Sequence, residues 1–373
     1  MSAPRVLILT ADIGAGHDLP AQLLADAFAA RDPAADVTVA DGLETMGPFL
    51  HALGRSGTET ILERAPMLFD VQYWLLSRFT PTRRLAASLL TRVGGGRLLE
   101  LVHRIQPDVV VSTYPGTTDV LGRLRAAGRL DVPCVAAITD LAALRFWAHH
   151  GVDLHLITHA ESLAEVQAIA GADADIRPVR GLTRPEFESP PERAAARAAL
   201  GLPASDPIVL VSGGGWGVGD LEQAARTVLA LPRAHAICLC GSNGAVRSRL
   251  DAAFASEPRV RTEGFTKRMC EWLASADALV HSTAGLTVFE AQLCGTWAIS
   301  YGWGIAHIRL NNEAYRRFGL ADVAATPADL GRALREALLA PRPRHTGYAA
   351  LQPAAEAVLA LTNEIRARPS ATR

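Results

Sequence analysis

Residues 277–290, Asp-Ala-Leu-Val-His-Ser-Thr-Ala-Gly-Leu-Thr-Val-Phe-Glu, predict a buried strand, a turn of small residues and a helix. The run up to His281 has the apolar character of a strand, and Gly285 lets the backbone approach a ligand closely. Amides at the start of the helix favour phosphate, and Glu290, one turn in, can accept both hydroxyls of a ribose. The alternative is an ordinary strand-to-helix turn with a solvated glutamate.

The composition indicates a globular chain. It has 373 residues, 49% of them hydrophobic, which is enough for a large core and favours two domains. The formal net charge of −1 gives no electrostatic case for binding nucleic acid. Five cysteines without C-x-x-C spacing are typical of reduced cytosolic thiols. No stretch approaches the apolar length of a membrane span, so we expect a cytoplasmic protein.

Short apolar runs alternate with helical patterns along the chain, and their continuous hydrophobicity predicts parallel strands covered on both faces. The first series comprises residues 6–10, 37–40, 109–112, 134–139 and 154–157. The second series comprises residues 208–212, 237–240, 260–263, 278–281 and 297–300. Two such series predict an α/β fold of two doubly wound, Rossmann-like parallel-sheet domains facing each other across a cleft.

The domain boundaries are predicted from a proline-rich segment between the two series. We expect an N-terminal domain at residues 1–180, a linker at 181–207 and a C-terminal domain at 208–345. The alanine-rich stretch at residues 192–200 predicts a short helix within the linker. Residues 346–373 are expected to contain a last helix that packs back on the N-terminal domain. In parallel sheets of this kind, ligands bind outside the carboxyl ends of the strands, so the loops there are the candidate sites.

The loop after the first strand contains two glycines followed by a histidine. Gly14 and Gly16 clear space beside the strand end, which leaves His17 at the edge of the predicted cleft. A neutral imidazole there could accept a proton from a hydroxyl or hold that hydroxyl in place. Asp12 is a second candidate base or orienting group. The alternative for His17 is a cap on the following helix.

A second glycine-rich loop occupies the equivalent place in the second series. Residues 211–220 are Val-Ser-Gly-Gly-Gly-Trp-Gly-Val-Gly-Asp, and bare amides at such a helix start can neutralise a diphosphate. The loop lacks the Gly-Lys-Ser/Thr ending of a P-loop, and its spacing departs from a dinucleotide fingerprint. A purely structural glycine turn is the alternative.

Three further sequence features bear on whether the chain binds a nucleotide base or a metal ion. Phe265 follows a predicted strand, so it can stack on a base or be part of the core. Asp173 and Asp175 have D-x-D spacing, but they follow a helix end rather than a buried strand. No H-E-x-x-H motif or Cys/His cluster is present, and we expect no metal site.

In their order and placement these loops resemble the glycosyltransferases of the MurG and monogalactosyldiacylglycerol synthase type (glycosyltransferase family 28), which have the GT-B fold. The resemblance covers most of the chain, and Gly14-Ala-Gly-His17 and Thr139-Asp140 place it nearer the lipid-glycosylating branch. The matching residues are 13–17, 112–115, Thr139 and Asp140 with Trp147, 213–215 with Gly217, Gly264 and Phe265 with Met269, 284–287 with Glu290 and Ala291, and His307 with Asn311.

The resemblance implies an inverting, metal-independent hexosyltransferase that moves a hexose from a UDP-sugar to a hydroxyl of a lipid such as diacylglycerol, without a cofactor. His17 would be the base, with Asp12 or Asp140 as helper, and Glu290 would hold the ribose. The acceptor would lie beside Gly14, Gly16, Tyr114, Pro115 and Trp147. The diphosphate would bind Gly213, Gly214, Gly215, Trp216 and Gly217 together with Ser282, Thr283, Ala284, Gly285, Leu286 and Thr287. The uracil would contact Phe265, Thr266 and Met269, and the sugar would contact His307 and Asn311.

Residues 67–90 mix aromatic and apolar side chains with arginines. This composition suits peripheral contact with the inner face of the plasma membrane, and it equally suits an internal helix pair. Three other functions also fit the site residues. They are transfer of a sugar to a soluble aglycone of secondary metabolism, 2-epimerisation of a UDP-sugar, and nucleotide binding without catalysis.

Overall fold

The computed structural model describes residues 3–11, 15–48, 50, 79–283, 285–302, 306–339 and 344–367, without the side chains of residues 15, 16, 306, 307 and 346. The chain divides into two compact units. The first unit is Met1–Arg184 together with Ala350–Arg373, and the second unit is Pro185–Ala349. Among the described residues, no helix has both the length and the apolar character needed to cross a membrane.

The first unit is built on a seven-stranded sheet in which every described pairing is parallel. Its strands are β1 (Arg5–Thr10), β2 (Asp36–Asp41), β3 (Val109–Ser112), β4 (Cys134–Ile138), β5 (Leu154–Ile157), β6 (Ile176–Arg180) and β13 (Gln352–Pro353), in the spatial order β13-β6-β5-β4-β3-β1-β2. Val6 and Ile8 pack into one buried cluster, and Leu7 and Leu9 pack into another. Both faces of β1 are therefore core, which is why its sequence is continuously apolar.

Helices cover both faces of this sheet. They are α1 (Ala15–Arg31), α2 (Gly42–Met46), α3 (Thr80–Ile105), α4 (Pro115–Ala126), α5 (Leu163–Ala170) and α13 (Ala354–Ala367). Helix α13 places Ala354, Val358 and Leu361 in the same cluster as Val6 and Ile8, so the end of the chain belongs to the core of the first unit.

The second unit contains a six-stranded parallel sheet. Its strands are β7 (Ile208–Ser212), β8 (His235–Leu239), β9 (Val260–Glu263), β10 (Ala278–His281), β11 (Trp297–Tyr301) and β12 (Asp322–Ala324), in the order β12-β11-β10-β7-β8-β9. Its helices are α6 (Arg193–Leu200), α7 (Leu221–Leu229), α8 (Gly244–Ala253), α9 (Met269–Ser275), α10 (Leu286–Cys294), α11 (Ala306–Phe318) and α12 (Pro327–Leu339).

The predicted α/β class with two parallel sheets is confirmed, and each of the ten predicted strands is present. Strands β6, β12 and β13 were not predicted, because they are edge or near-edge strands without a continuous apolar run. The short helix predicted within the linker is present as α6, and it packs in the second unit. There Arg197 is 5% exposed and donates to Asp277 (2.7 Å) and to the main-chain oxygen of Ser275 (2.9 Å).

The strand order places one topological switch point in each sheet. The chain leaves β1 for β2 on one side and later returns to β3 on the other, so the loops after β1 and β3 are neighbours. In the second unit the chain goes from β7 through β8 to β9 and then returns to β10 beside β7. Crevices at the carboxyl ends of such neighbouring strands are where doubly wound sheets bind ligands.

Candidate functional site

At the switch point of the first unit, His17 is held by Thr113 through two hydrogen bonds. The Nδ1 atom of His17 lies 3.2 Å from the main-chain oxygen of Thr113, and the Thr113 hydroxyl donates to the main-chain oxygen of His17 (3.0 Å). A carbonyl oxygen can only accept, so Nδ1 carries the proton in this contact. The Nε2 atom of a neutral imidazole then keeps the lone pair that a general base needs.

Aromatic rings surround the imidazole of His17. The Tyr114 ring lies edge-on at 5.2 Å between centroids, and the Trp147 ring lies at 5.7 Å with a tilt of 45°. Trp147 is 1% exposed, and its Nε1 donates to Asp140 Oδ2 at 3.2 Å. Trp147 thus contacts both candidate polar groups, the imidazole of His17 and the carboxylate of Asp140.

Tyr114 cannot act as a base at neutral pH. Burial, with a smaller contribution from Asp41, raises the pKa of its phenol to about 12. The phenol therefore stays protonated and can only donate to, or pack against, an acceptor molecule.

The structure brings His17, Tyr114, Asp140 and Trp147 together, and Pro115 follows as the first residue of α4. Gly16 lies in the first turn of α1, while Asp12 and Gly14 lie outside the described residues. Thr113 was not predicted as a site residue. Its contact with His17 joins residues 96 positions apart, and only the adjacency of β1 and β3 could have indicated it.

In the second unit, the loops after β7 and β10 interlock. A Cβ atom on Gly214 would lie 2.7 Å from Thr283 Cγ2, and one on Gly219 would lie 2.3 Å from Ser282 Oγ. Ser282 also donates from Oγ to the main-chain oxygen of Val218 (2.6 Å). The β7 loop can approach the Thr283 and Ser282 side chains this closely only because it has glycine where other side chains would collide.

The N-terminus of α10 offers polar groups to a ligand. Its N-cap is Gly285, at φ 83° and ψ −143°, and no side chain in the described ranges caps the helix. The Thr283 hydroxyl is buried and has no hydrogen-bond partner among the described residues. Glu290, in the second turn of α10, is 8% exposed. Open amides, a hydroxyl and a carboxylate on one short segment suit a phosphate followed by a polyol.

The loop after β8 supports the tip of the glycine-rich loop. Ser242 Oγ donates to the oxygen of Gly215 (2.8 Å), and Asn243 Nδ2 donates to the oxygen of Trp216 (3.3 Å). Sequence reasoning did not single out Ser242 and Asn243. Their position directly after a predicted strand was the available signal, since that loop must lie at the carboxyl edge of the sheet.

The exposed aromatic side chains of the second unit lie in the predicted donor loops. Phe265 is 65% exposed and Trp216 is 46% exposed, so Phe265 is not a core residue. Thr266 Oγ1 accepts from the amide of Arg268 (3.0 Å), and Met269 begins α9.

The other predicted donor residues are placed as follows. Asn311 is 1% exposed within α11, and Leu286 and Thr287 form the start of α10. The residue Ala284 and the side chain of His307 lie outside the described parts of the chain.

Within residues that the structure does describe, no group of three His, Cys, Asp or Glu side chains is arranged to hold a metal ion. Asp175 is paired with Arg177 at 2.5 Å.

Comparison with known sequences confirms the expected resemblance. Residues 17–180 match the monogalactosyldiacylglycerol (MGDG) synthase family. A probable monogalactosyldiacylglycerol synthase 2, chloroplastic, of Oryza sativa subsp. japonica is 31% identical over 310 residues, which cover 79% of this chain and 65% of that protein. The processive diacylglycerol beta-glucosyltransferase of Bacillus subtilis is 23% identical over 299 residues, or 80% of this chain and 77% of that protein. The chain thus spans slightly under two thirds of the length of the rice relatives.

Solved structures show the same fold. MurG of Acinetobacter baumannii superposes with a TM-score of 0.60 at 18% identity, covering 97% of this chain and 99% of that one. The calicheamicin glycosyltransferase CalG4 has a TM-score of 0.60 at 17% identity, covering 99% and 100%. A UDP-N-acetylglucosamine 2-epimerase from Listeria monocytogenes, described as putative, has a TM-score of 0.57 at 12% identity, covering 100% and 99%. The predicted GT-B fold is therefore confirmed.

Proposed function

We propose that this chain transfers a hexose from a UDP-sugar to a hydroxyl of a lipid acceptor such as diacylglycerol. The match of residues 17–180 to the monogalactosyldiacylglycerol synthase family supports this proposal. The observation that carries the proposal is the pair of interlocked loops after β7 and β10, the second of which leads into the helix that contains Glu290. The names of the rice and Bacillus relatives favour diacylglycerol over a soluble aglycone as the acceptor.

The donor binds in the second unit in this proposal. The open amides at the start of α10 and the Thr283 hydroxyl bind the diphosphate, and the helix dipole favours its negative charge. Glu290 accepts hydrogen bonds from the ribose hydroxyls, and Phe265 stacks on the uracil. His307 and Asn311 lie on the sugar side.

The reaction is a single displacement at the anomeric carbon. His17 Nε2 accepts the proton of the acceptor hydroxyl while its oxygen attacks, and the bond from the anomeric carbon to the UDP oxygen breaks. Asp140, held by Trp147, stabilises the imidazolium or orients the hydroxyl. The leaving UDP is stabilised by amides and the α10 dipole, so we propose that no metal ion is required. One displacement inverts the anomeric configuration.

Transfer can be tested with purified protein, UDP-glucose, UDP-galactose or UDP-N-acetylglucosamine, and diacylglycerol in mixed micelles. We expect a glycolipid and UDP in equal amounts, an inverted anomeric configuration by NMR, and activity that persists in EDTA. Transfer only to soluble aglycones would favour the secondary-metabolism alternative. Conversion of the UDP-sugar without any acceptor would favour the epimerase.

Membrane contact is proposed for one face of α3 in the first unit. Leu85, Leu89 and Val93 are spaced four residues apart and are 71%, 60% and 49% exposed, so they form an apolar stripe on one helix face. Phe79, immediately before α3, is 47% exposed. Of the segment predicted to meet the membrane, residues 67–78 lie outside the described residues. We propose that this stripe rests on the inner face of the plasma membrane.

Replacing Leu85 and Leu89 together with Gln is expected to weaken binding to lipid vesicles. Each leucine side chain contributes about 1 kcal/mol or more on insertion, so the partition coefficient should fall about tenfold or more. Co-sedimentation with phosphatidylglycerol vesicles measures this change. Leu339→Gln is the matched control, because Leu339 is 84% exposed but belongs to the second unit. Equal binding of the double variant and the control would contradict the membrane contact.

A further inference from the structure

A buried histidine lies directly before the turn that we assign to the diphosphate. His281 is the last residue of β10 and is 1% exposed. Its Nδ1 lies 2.9 Å from the main-chain oxygen of Thr283. Because that oxygen can only accept, His281 must carry a proton on Nδ1 to make this hydrogen bond. Burial lowers the pKa of His281 to about 4, against the smaller opposing effect of the Thr283 oxygen, so the ring is neutral at pH 7.

Among the residues that the structure describes, the His281 ring makes no second polar contact. Tyr315 of α11 meets it edge-on, with 6.1 Å between ring centroids. Ser300 is its register partner on β11 and projects from the same face of the sheet. Neither His281 Nε2 nor Ser300 Oγ has a hydrogen-bond partner among the described residues. The Thr283 oxygen is therefore the one polar group in this described part that orients the ring.

Two consecutive residues, Ser282 and Thr283, are thus each held by a hydrogen bond to a different part of the second unit. Ser282 is bonded through its side chain to Val218 in the β7 loop, and Thr283 is bonded through its main chain to His281 in the sheet. Gly285, with its positive φ, follows and leads into α10. The conformation of this turn decides where the Thr283 hydroxyl and the first amides of α10 point.

We propose that His281 is a positioning residue for the sugar nucleotide: its Nδ1–H holds the Thr283 carbonyl against the sheet and so presets the turn that binds the diphosphate. This role rests on the proposed function. His281 does not touch the substrate in this proposal, and it acts only through the backbone of Thr283. Losing one buried neutral hydrogen bond should therefore weaken donor binding and leave acceptor binding unchanged.

Two amide substitutions separate this role from simple packing. In His281→Asn, the side-chain NH₂ takes the place of Nδ1–H and can still donate to Thr283. In His281→Gln, the side-chain amide lies at the place of Nε2 instead, so the hydrogen bond to Thr283 is lost. The two variants have the same polar group, so they differ only in where it lies. We expect the Gln variant to raise the Kd for UDP and the KM for the UDP-sugar about three- to tenfold, with the acceptor KM unchanged. The Asn variant should stay within about twofold of the wild type in both constants.

Several outcomes would overturn this role. Equal weakening in both variants would indicate packing alone, and normal donor binding by the Gln variant would show that the contact is not needed. If the Gln variant does not fold, the tautomer of His281 can be measured in the wild type by ¹⁵N NMR, assigned with His281→Asn. A proton on Nε2 rather than Nδ1 would overturn the proposal. A wild type that binds no UDP would overturn the proposed function itself, and this role with it.

Discussion

Glu290→Ala is expected to weaken UDP binding about ten- to a hundredfold, because a charged acceptor for the ribose hydroxyls is lost and such hydrogen bonds contribute about 1.5 to 3 kcal/mol. Glu290 is 8% exposed and lies in the second turn of α10, whose N-cap is Gly285. Its carboxylate is thus within the same short segment as the amides assigned to the diphosphate. Calorimetry with UDP, GDP, ADP and TDP measures both the loss and the preference for uracil.

Controls separate the loss of the carboxylate from a loss of folding. Glu290→Gln keeps the size and one acceptor oxygen, so we expect UDP affinity between those of the wild type and the Ala variant. Glu336→Ala removes an exposed carboxylate from α12 and should bind UDP normally. Thermal melting of each variant shows whether it is folded. Binding of UDP by folded Glu290→Ala with wild-type affinity would show that the nucleotide is placed wrongly.

His17→Ala is expected to lower kcat by about a hundred- to ten-thousandfold, the range typical for loss of a general base. Because Nδ1 donates to the Thr113 oxygen, the basic lone pair of the neutral ring is on Nε2, and the same contact orients the ring. We propose that the donor binds in the second unit, so we expect the Kd for UDP not to change. Initial rates with saturating UDP-sugar and acceptor, together with UDP calorimetry, make this distinction.

The matched control for His17 is His103→Ala, since His103 is an exposed histidine near the end of α3 in the same unit. It should leave kcat within about twofold of the wild type. If the His17→Ala protein turns over at the wild-type rate, His17 is not the general base. Asp140→Asn would then be the next variant to measure, because Asp140 also contacts Trp147.

Much of the fold could be predicted from the sequence because its signals are local. Runs such as Val6 to Thr10 are buried on both faces, and this environment leaves a continuous apolar pattern. Strand β6, Ile-Arg-Pro-Val-Arg, lies near the sheet edge and has no such pattern, so only the structure showed it. The packing of α6 through Arg197 and Asp277 was also missed, because a buried ion pair between distant residues has no periodicity.

The candidate site was predictable to a similar extent. His17, Tyr114, Asp140 and Trp147 were named from their loops and from the family resemblance. The structure places His17 and Asp140 in contact with Trp147, and Tyr114 in contact with His17. From the sequence, Phe265 could either stack on a base or pack in the core. The exposure of its side chain in the structure excludes the core. The contacts of Thr113 and His281 could not be predicted, because each depends on a main-chain oxygen that any residue would supply. The Thr113 oxygen accepts from His17, and the Thr283 oxygen accepts from His281.

The sequence by itself determined the ten strands with apolar runs and the helical patterns between them, because each depends on neighbours a few residues away. The tertiary structure alone decided which loops meet. Thr113 reaches His17 because β3 lies beside β1, and Gly214 and Gly219 meet Thr283 and Ser282 because β10 lies beside β7. Strand order is set by the packing of whole helices on whole sheets, so these contacts between distant residues become visible only once the chain is folded.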